Sequence, residues 1–271
     1  MINLIPMGGK SSRFFDAGYK ENKATLPVTS YINGKRYPMA LASILSIPWI
    51  AKSNNKIICI NDIEHSFNGL ESKIIREIPE AIFIHDHVKL DQAFGCFLAR
   101  DYLKKNEELF IGASDCAFNV DMRAFSKMKK NSDVIIFSQK GTLPIKNNPF
   151  DHSWLIKDKK SSKVNGISFK QPISTDYLDD HATTGMFWFK NANLFLQYLE
   201  CMIVTEWKIS RTSKTKAQKF YIDKLIDYFL KDKLSVKNID VDFICWGTPL
   251  DYENYESTIQ YWKSFKKKLR L

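Results

Sequence analysis

The sequence predicts an α/β chain with a mixed, mostly parallel central sheet and helices on both faces. Two observations carry this expectation. Short apolar runs alternate with helix-length amphipathic runs over the first 140 residues, and a loop of small residues follows the first apolar run directly. Such a βαβα order needs a crossover between successive strands, which favours parallel pairing. The chain has 271 residues, 44% hydrophobic and 13% aromatic, enough to bury a large core.

Strands are expected over residues 2–6, 56–60, 81–85, 108–112 and 133–138, each a short run rich in Ile, Leu, Val or Phe. Helices are expected over 39–51, 71–78, 92–104 and 122–130, where apolar residues recur at helical spacing. After residue 140 the pattern changes. A Pro- and Asn-containing loop fills 141–151, and strands are expected over 153–157, 166–170 and 182–189. Helices over 192–205 and 216–230 follow, then a strand pair at 234–238 and 241–246, and a last helix from about 250 to 268. No internal repeat or linker interrupts the chain, so residues 1–271 read as a single domain with a change of character near residue 140. Ligands of such sheets bind beyond the carboxyl ends of the strands, which is where the loop after residue 6 falls.

Composition narrows the class. No run reaches the ~18 apolar residues of a membrane span, and the first residues lack the basic-then-apolar pattern of a secretion signal. A cytoplasmic protein is expected. The five cysteines, Cys59, Cys96, Cys116, Cys201 and Cys245, are scattered and form no CxxC pair, which argues against a disulfide framework or zinc site. The formal net charge of +10 suits an anionic ligand such as a nucleotide or phosphate ester. No nucleic-acid-binding module accompanies it. His85 and His87 share a strand face, but no further ligand lies near enough in sequence to complete a metal site.

The loop Met7-Gly8-Gly9-Lys10-Ser11-Ser12-Arg13 and the later Lys23 have the character of a triphosphate cradle. Small residues let backbone N–H groups approach a phosphate closely, and Arg13 and Lys23 add positive charge. Neither the Walker loop nor the dinucleotide fingerprint is present. The strand at 108–112 runs into Ala113-Ser114-Asp115, placing a carboxylate where a Mg²⁺ ligand is useful. Gln92-Ala93 opens a helix behind Asp91, and the Gln92 amide offers a donor and an acceptor to a base edge. Asp91 and Phe94 flank it and limit the space if they face the same pocket.

These stretches resemble the nucleoside-triphosphate transferases that activate sugar phosphates and related esters. Their opening signature reads roughly G-x-G-S/T-R and then P-K. Gly9, Ser12, Arg13 and Lys23 match it, while Ser11 stands at the second glycine and Asn22 at the proline. Gln92-Ala93 matches a T-x-G-Q-A turn. Lys170 matches the lysine of E-K-x-x-I-S, with Phe169 in place of the glutamate. His181-Ala182-Thr183-Thr184-Gly185-Met186-Phe187-Trp188-Phe189 matches an A-T/V-x-G-I/L-Y-x-F strand, and Gly247-Thr248-Pro249 the closing G-T-P.

The resemblance runs in order from residue 2 to about 256. It implies a Rossmann-like nucleotide-diphospho-sugar transferase fold, with a nucleotide-binding half over 1–140 and an acceptor-binding half plus C-terminal helix over 141–271. It implies an enzyme that joins a nucleoside triphosphate to a sugar 1-phosphate or related ester with release of pyrophosphate, of the kind that serves cell-surface polysaccharide synthesis. Most of the expectation of a pyrimidine triphosphate, CTP or UTP, comes from this resemblance. In it Arg13, Lys23 and Lys170 are catalytic. Met7, Gly8, Gly9, Lys10, Ser11, Ser12, Gln92, Ala93 and Ser114 bind the nucleotide, and Thr184 and Gly185 the acceptor. Asp115 binds Mg²⁺. The family's second metal carboxylate falls on Cys245, so Asp242 is the substitute considered. A glycosyltransferase of related fold and an inactive nucleotide-binding homologue are the alternatives. The oligomeric state stays open, a homodimer included.

Overall fold

A computed structural model gives the fold of the chain, describing residues 1–51, 55–62, 68–87, 91–158, 160–212 and 221–269. The sheet begins with β1 (Ile2–Pro6). A small hairpin of β2 (Pro27–Thr29) and β3 (Arg36–Pro38) follows, then β4 (Lys56–Asp62), β5 (Ile82–Asp86) and β6 (Leu109–Ile111). β4 and β6 flank β1 and β5 adds beyond β4, all parallel, giving the order β5-β4-β1-β6. Helices Leu70–Glu77 and Gln92–Leu98 lie in the crossovers.

Alternation along these strands divides the core into two layers, because successive side chains point to opposite faces. Leu4, Ile58 and Ile111 pack on one face with Phe187, Phe189 and Phe195. Ile5, Ile57 and Phe110 pack on the other with Phe137, Trp188 and Trp49. Apolar residues on both faces are the signature of a sheet covered on both sides.

The later strands complete the sheet differently. β7 (Cys116–Asn119) leaves the main sheet at once. β8 (Val134–Gln139), β9 (Trp154–Lys157), β10 (Val164–Ser168) and β11 (Ala182–Phe189) follow. β11 runs antiparallel between β6 and β8, and also pairs with β9, which pairs with β10. β12 (Val236–Asp240) lies parallel to β8, whereas β13 (Asp242–Cys245) pairs antiparallel with β7. The expected strand pair at 234–246 is therefore two strands in two different sheets. The expected helix over 39–51 ends at Ser46, after which Trp49 turns into the core. The helix expected over 92–104 breaks at Ala99, and the one at 192–205 continues to Thr212. Of the helix expected over 216–230, residues 216–220 lie outside the described residues. The rest is a short 3-10 turn, Ile222–Lys224, and the helix Leu225–Lys231.

The helix Pro249–Leu269 returns to the beginning of the chain. Tyr252 and Tyr255 donate to the carbonyls of Pro27 and Thr29 at 2.9 and 2.6 Å, and Thr29 Oγ1 donates to Glu256 at 3.0 Å. Thr248 and Asp251 cap its first turn, the Asp251 N–H donating to Thr248 Oγ1 at 3.2 Å. No described helix is long and apolar enough to cross a membrane.

Asn3 is fully buried in β1, and its Oδ1 accepts the indole N–H of Trp49 at 2.9 Å. Asn3→Ala leaves that donor unsatisfied inside the core, a loss of about 1–3 kcal/mol. A melting temperature lower by about 2–4 °C per kcal/mol is expected in calorimetry.

Candidate functional site

The loop after β1 is shaped by two residues that depart from the family pattern. Ser11 takes a left-handed conformation, φ +52°, which glycine adopts without steric cost. Its Oγ accepts the backbone N–H of Lys23 at 3.1 Å. Asn22 donates to the Gly9 carbonyl at 3.0 Å, and its Oδ1 accepts from Ala24 N at 3.0 Å, capping the turn that carries Lys23. The two departures thus tie the loop to the Lys23 turn and fix where the lysine enters.

Lys23 Nζ donates to Asp115 Oδ2, an ion pair with side chains 16% and 25% exposed. Asp115 sits between β6 and β7, its backbone carbonyl accepting from Trp246 N at 2.8 Å. Burial alone would raise the Asp115 carboxyl. The charge and hydrogen bond of Lys23, helped by Arg13, outweigh burial and hold it below its ordinary value. Gly247 faces this carboxylate: a Cβ there would stand 3.2 Å from Asp115 Oδ2.

Two clefts meet at this pair. One, about 460 Å³, is lined by Gly8, Gly9, Lys10, Ser11, Ser12, Lys23 and Ser114 among others. The second, about 270 Å³, is lined by Arg13, Lys170, Thr184, Gly185 and others. Gln92, Ala113, Asp115 and Tyr221 line both. Arg13 bonds Asp151 at 2.6 Å, and Lys170, itself at φ +58°, donates to the Asp151 carbonyl. Lys170 Nζ also stands 5.0 Å over the Tyr221 ring. Thr184 donates to Phe137 O at 2.7 Å, inside a bulge of β11 where Gly185 has φ +77°. Open space lies before the Gly185 Cβ position, so backbone conformation rather than a close neighbour calls for glycine there.

Met7, Ala93 and Asp242 do not reach the cleft with their side chains. Met7 and Ala93 are buried in the two core layers. Asp242 stands opposite Asn119, bonding it at 3.2 Å, whereas Cys245 stands opposite Cys116 beside Asp115. The two are three positions apart, about 10 Å of strand, so Asp242 is remote from Asp115. Cys245 itself is a thiol that burial, with Asp115 and Asp251 nearby, holds well above its ordinary value. His85 is exposed and pairs with Glu71 at 2.7 Å. Among the described residues no group of three His, Cys, Asp or Glu is placed to hold a metal. A single carboxylate such as Asp115 is compatible with Mg²⁺, which uses one or two carboxylates and completes its shell with phosphate oxygens and water.

Sequence reasoning missed several lining residues. Asp151 holds Arg13 and Lys170. His152 is lowered by burial and by Lys170. Asp223 is raised by burial, an effect only partly offset by Lys170 and Thr183. All three sit in turns without periodic pattern. The Tyr221-Ile222-Asp223 triplet just ahead of an amphipathic helix is the one available signal.

Comparison with solved structures agrees with this architecture. The chain superposes on a nucleoside-diphosphate-sugar pyrophosphorylase from Vibrio cholerae RC9 with a TM-score of 0.66 and 20% identity, over 94% of this chain and 99% of the other. An inositol-1-phosphate CTP transferase from T. maritima gives 0.64 and 13%, over 94% and 93%. HddC from Yersinia pseudotuberculosis complexed with GMP-PN gives 0.61 and 15%, over 95% and 99%. No protein-family model and no curated protein matches the chain by sequence. At these identities the likeness defines the fold: the Rossmann-like, mostly parallel sheet common to these structures.

Two outcomes follow from the site's geometry. Because Lys23 overrides burial at Asp115, the folded state favours the ionised carboxylate. That stability is present above the unfolded value of about 3.9 and is lost as pH falls through the lower folded value. In Lys23→Met burial prevails and the sign reverses, so ionised Asp115 costs stability. The urea-unfolding free energy of wild type minus variant should therefore grow as pH rises through the range around the unfolded carboxyl's value of about 3.9. Gly185→Ala forces a side chain into the left-handed region and should lower stability by about 1–2 kcal/mol, read as an earlier urea midpoint.

Proposed function

We propose that the chain is a Mg²⁺-dependent nucleotidyltransferase. It joins a nucleoside triphosphate, CTP or UTP, to a sugar 1-phosphate or related phosphate ester and releases pyrophosphate. The observation that carries this reading is the meeting of the two cation-lined clefts at Lys23 and Asp115. The names of the superposed structures, a nucleoside-diphosphate-sugar pyrophosphorylase and an inositol-1-phosphate CTP transferase, support it.

In this reading the triphosphate lies along the 8–12 loop, and Lys23 and Arg13 turn from their carboxylates to its oxygens. The acceptor enters the smaller cleft with its phosphate on Lys170. An acceptor oxygen attacks the α-phosphorus, the bond from that phosphorus to the β-phosphate's bridging oxygen breaks, and pyrophosphate leaves with the electron pair. The attacking phosphate is already anionic, so alignment and charge neutralisation matter more than a general base. Mg²⁺, held by Asp115 together with phosphate oxygens, would neutralise charge on the triphosphate. A glycosyltransferase reading wants a second carboxylate two residues beyond or before Asp115. Ala113 and Ala117 flank the region, with buried Cys116 between.

Pyrophosphate release, screened across four nucleoside triphosphates and a panel of phosphate esters, tests the reading. Turnover is expected only when nucleotide and acceptor phosphate are both present; its absence with every pair sinks the proposal. Asp115→Asn should abolish Mg²⁺-dependent turnover in a protein that still folds, with a lower melting temperature because Lys23 loses its partner. Arg13→Ala and Lys23→Ala should each slow it by about 10²–10³-fold. Lys170→Ala should raise KM for the acceptor more than for the nucleotide.

A further inference from the structure

The helix Pro249–Leu269 leaves the body of the fold at its far end. Tyr252 and Glu256 hold its first turns on the β2–β3 hairpin, but from Gln260 to Lys268 every residue is exposed, about two and a half turns. Three of these residues are large aromatics: Tyr261, Trp262 and Phe265 are 60%, 54% and 39% exposed. At about 100° per residue they fall within one arc of about 100°. That side of the helix also carries Asn254 and Thr258, and it faces away from Tyr252 and Glu256. The rings touch one another. Phe265 stacks on Tyr261 with centroids 6.2 Å apart and meets Trp262 edge-on at 5.7 Å. Leu143, 62% exposed, shares a groove with Asn254 and Thr258 and extends the apolar side. An exposed cluster of this kind marks an interaction surface.

Charge accompanies the rings. Lys263, Lys266, Lys267 and Lys268 fall in the same turns, and from Ser257 to Leu271 the sequence holds no acidic residue. Glu253 and Glu256, the carboxylates that come before them, bond Tyr19 and Thr29 instead. The helix rotation sets Lys266 and Lys268 at the two edges of the aromatic arc. Lysine stems can lie along an apolar stripe while their ammonium groups reach outward. Aromatic rings on one side, with lysines along both edges, are what an interfacial helix presents to a lipid headgroup layer.

Two other occupants fit less well. Joining this face to its counterpart on a second copy sets the lysines of both helices against one another with no carboxylate between them, and like charges across an interface oppose association. A single-stranded nucleic acid stacks its bases on open ring faces, whereas these rings already pack on each other. We propose that the exposed end of this helix, with Leu143 beside it, binds the surface of an anionic phospholipid bilayer. The rings enter the headgroup layer and the lysines pair with its anionic groups. The inference is independent of the nucleotidyltransferase reading.

Flotation of the full chain with vesicles tests it, comparing phosphatidylcholine alone with an equal mixture of phosphatidylcholine and phosphatidylserine. The chain should float with the mixed vesicles and not with the neutral ones, and high salt should release it. Tryptophan emission should shift to the blue on binding. Trp262→Phe should lose that shift while still floating, because Trp49, Trp154, Trp188 and Trp246 are already buried. Lys263→Gln, Lys266→Gln, Lys267→Gln and Lys268→Gln combined should weaken partition by about 10²–10³-fold, at roughly fivefold per basic residue near an anionic surface. Trp262→Ser with Phe265→Ser should weaken it with every lysine in place. All these positions are exposed, so the variants should keep the wild-type melting temperature. Equal flotation with neutral and mixed vesicles, or flotation with neither, overturns the inference. So does flotation without a Trp262-dependent shift, which would leave charge adsorption alone. A dimer in sedimentation that Phe265→Ser abolishes overturns it in favour of a second copy, and an equal Trp262 shift with single-stranded DNA overturns it in favour of nucleic acid.

Discussion

The Lys23–Asp115 pair is the contact on which the candidate site depends. A carboxylate this largely buried is unfavourable without a nearby cation, and a lysine beside it satisfies both charges. Everything around the pair serves to place it. Ser11 and Asn22 bind the lysine turn to the loop after β1. The end of β6 presents the aspartate, Trp246 N holds its backbone, and Gly247 keeps the space before it open. Removing either partner would leave a half-buried charge, so the pair also couples the first strand to the last segments of the chain.

The same pair sets a condition on ligand binding. Lys23, Arg13 and Lys170 all engage oxygens of the chain itself, of Asp115 or Asp151. An anionic ligand must offer them a better partner than they already have. Arg13 and Asp151 are both about half exposed, and such pairs contribute about 0–1 kcal/mol, so Arg13 exchanges partners readily. Lys23 is more buried, and its release has a larger cost. In the proposed reading, a triphosphate that also brought a divalent cation to Asp115 would meet that cost, because the carboxylate would exchange one cation for another.

Much of this was legible in the sequence, for physical reasons that differ by residue. The parallel strands β1, β4, β5 and β6 are short apolar runs buried on both faces, so composition alone marks them. Asp115 stands just past the end of β6, and Arg13 and Lys23 lie in short helical turns after β1, where position and residue type point to phosphate and metal chemistry. β2, β3, β7 and β13 escaped notice or were misassigned because three or four residues hold too little pattern to mark a strand. Pairing register, invisible in one sequence, decides which residue of β13 stands beside Asp115, and it sets Cys245 there and Asp242 opposite Asn119. Asp151 and Asp223 carry no periodic signature, and only the folded chain shows which carboxylates line a cleft.

The anchoring of helix Pro249–Leu269 on the β2–β3 hairpin bears on how the molecule is made. Tyr252, Tyr255 and Glu256 hold residues 27–29, and Trp246 and Gly247 close around Asp115, more than 130 positions earlier. During synthesis the parallel strands emerge from the ribosome first and can collapse with the loop and its lysine in place. The cleft wall contributed by 245–251 does not yet exist at that stage. A nascent chain therefore lacks this wall of the groove until residues 245–251 have been translated.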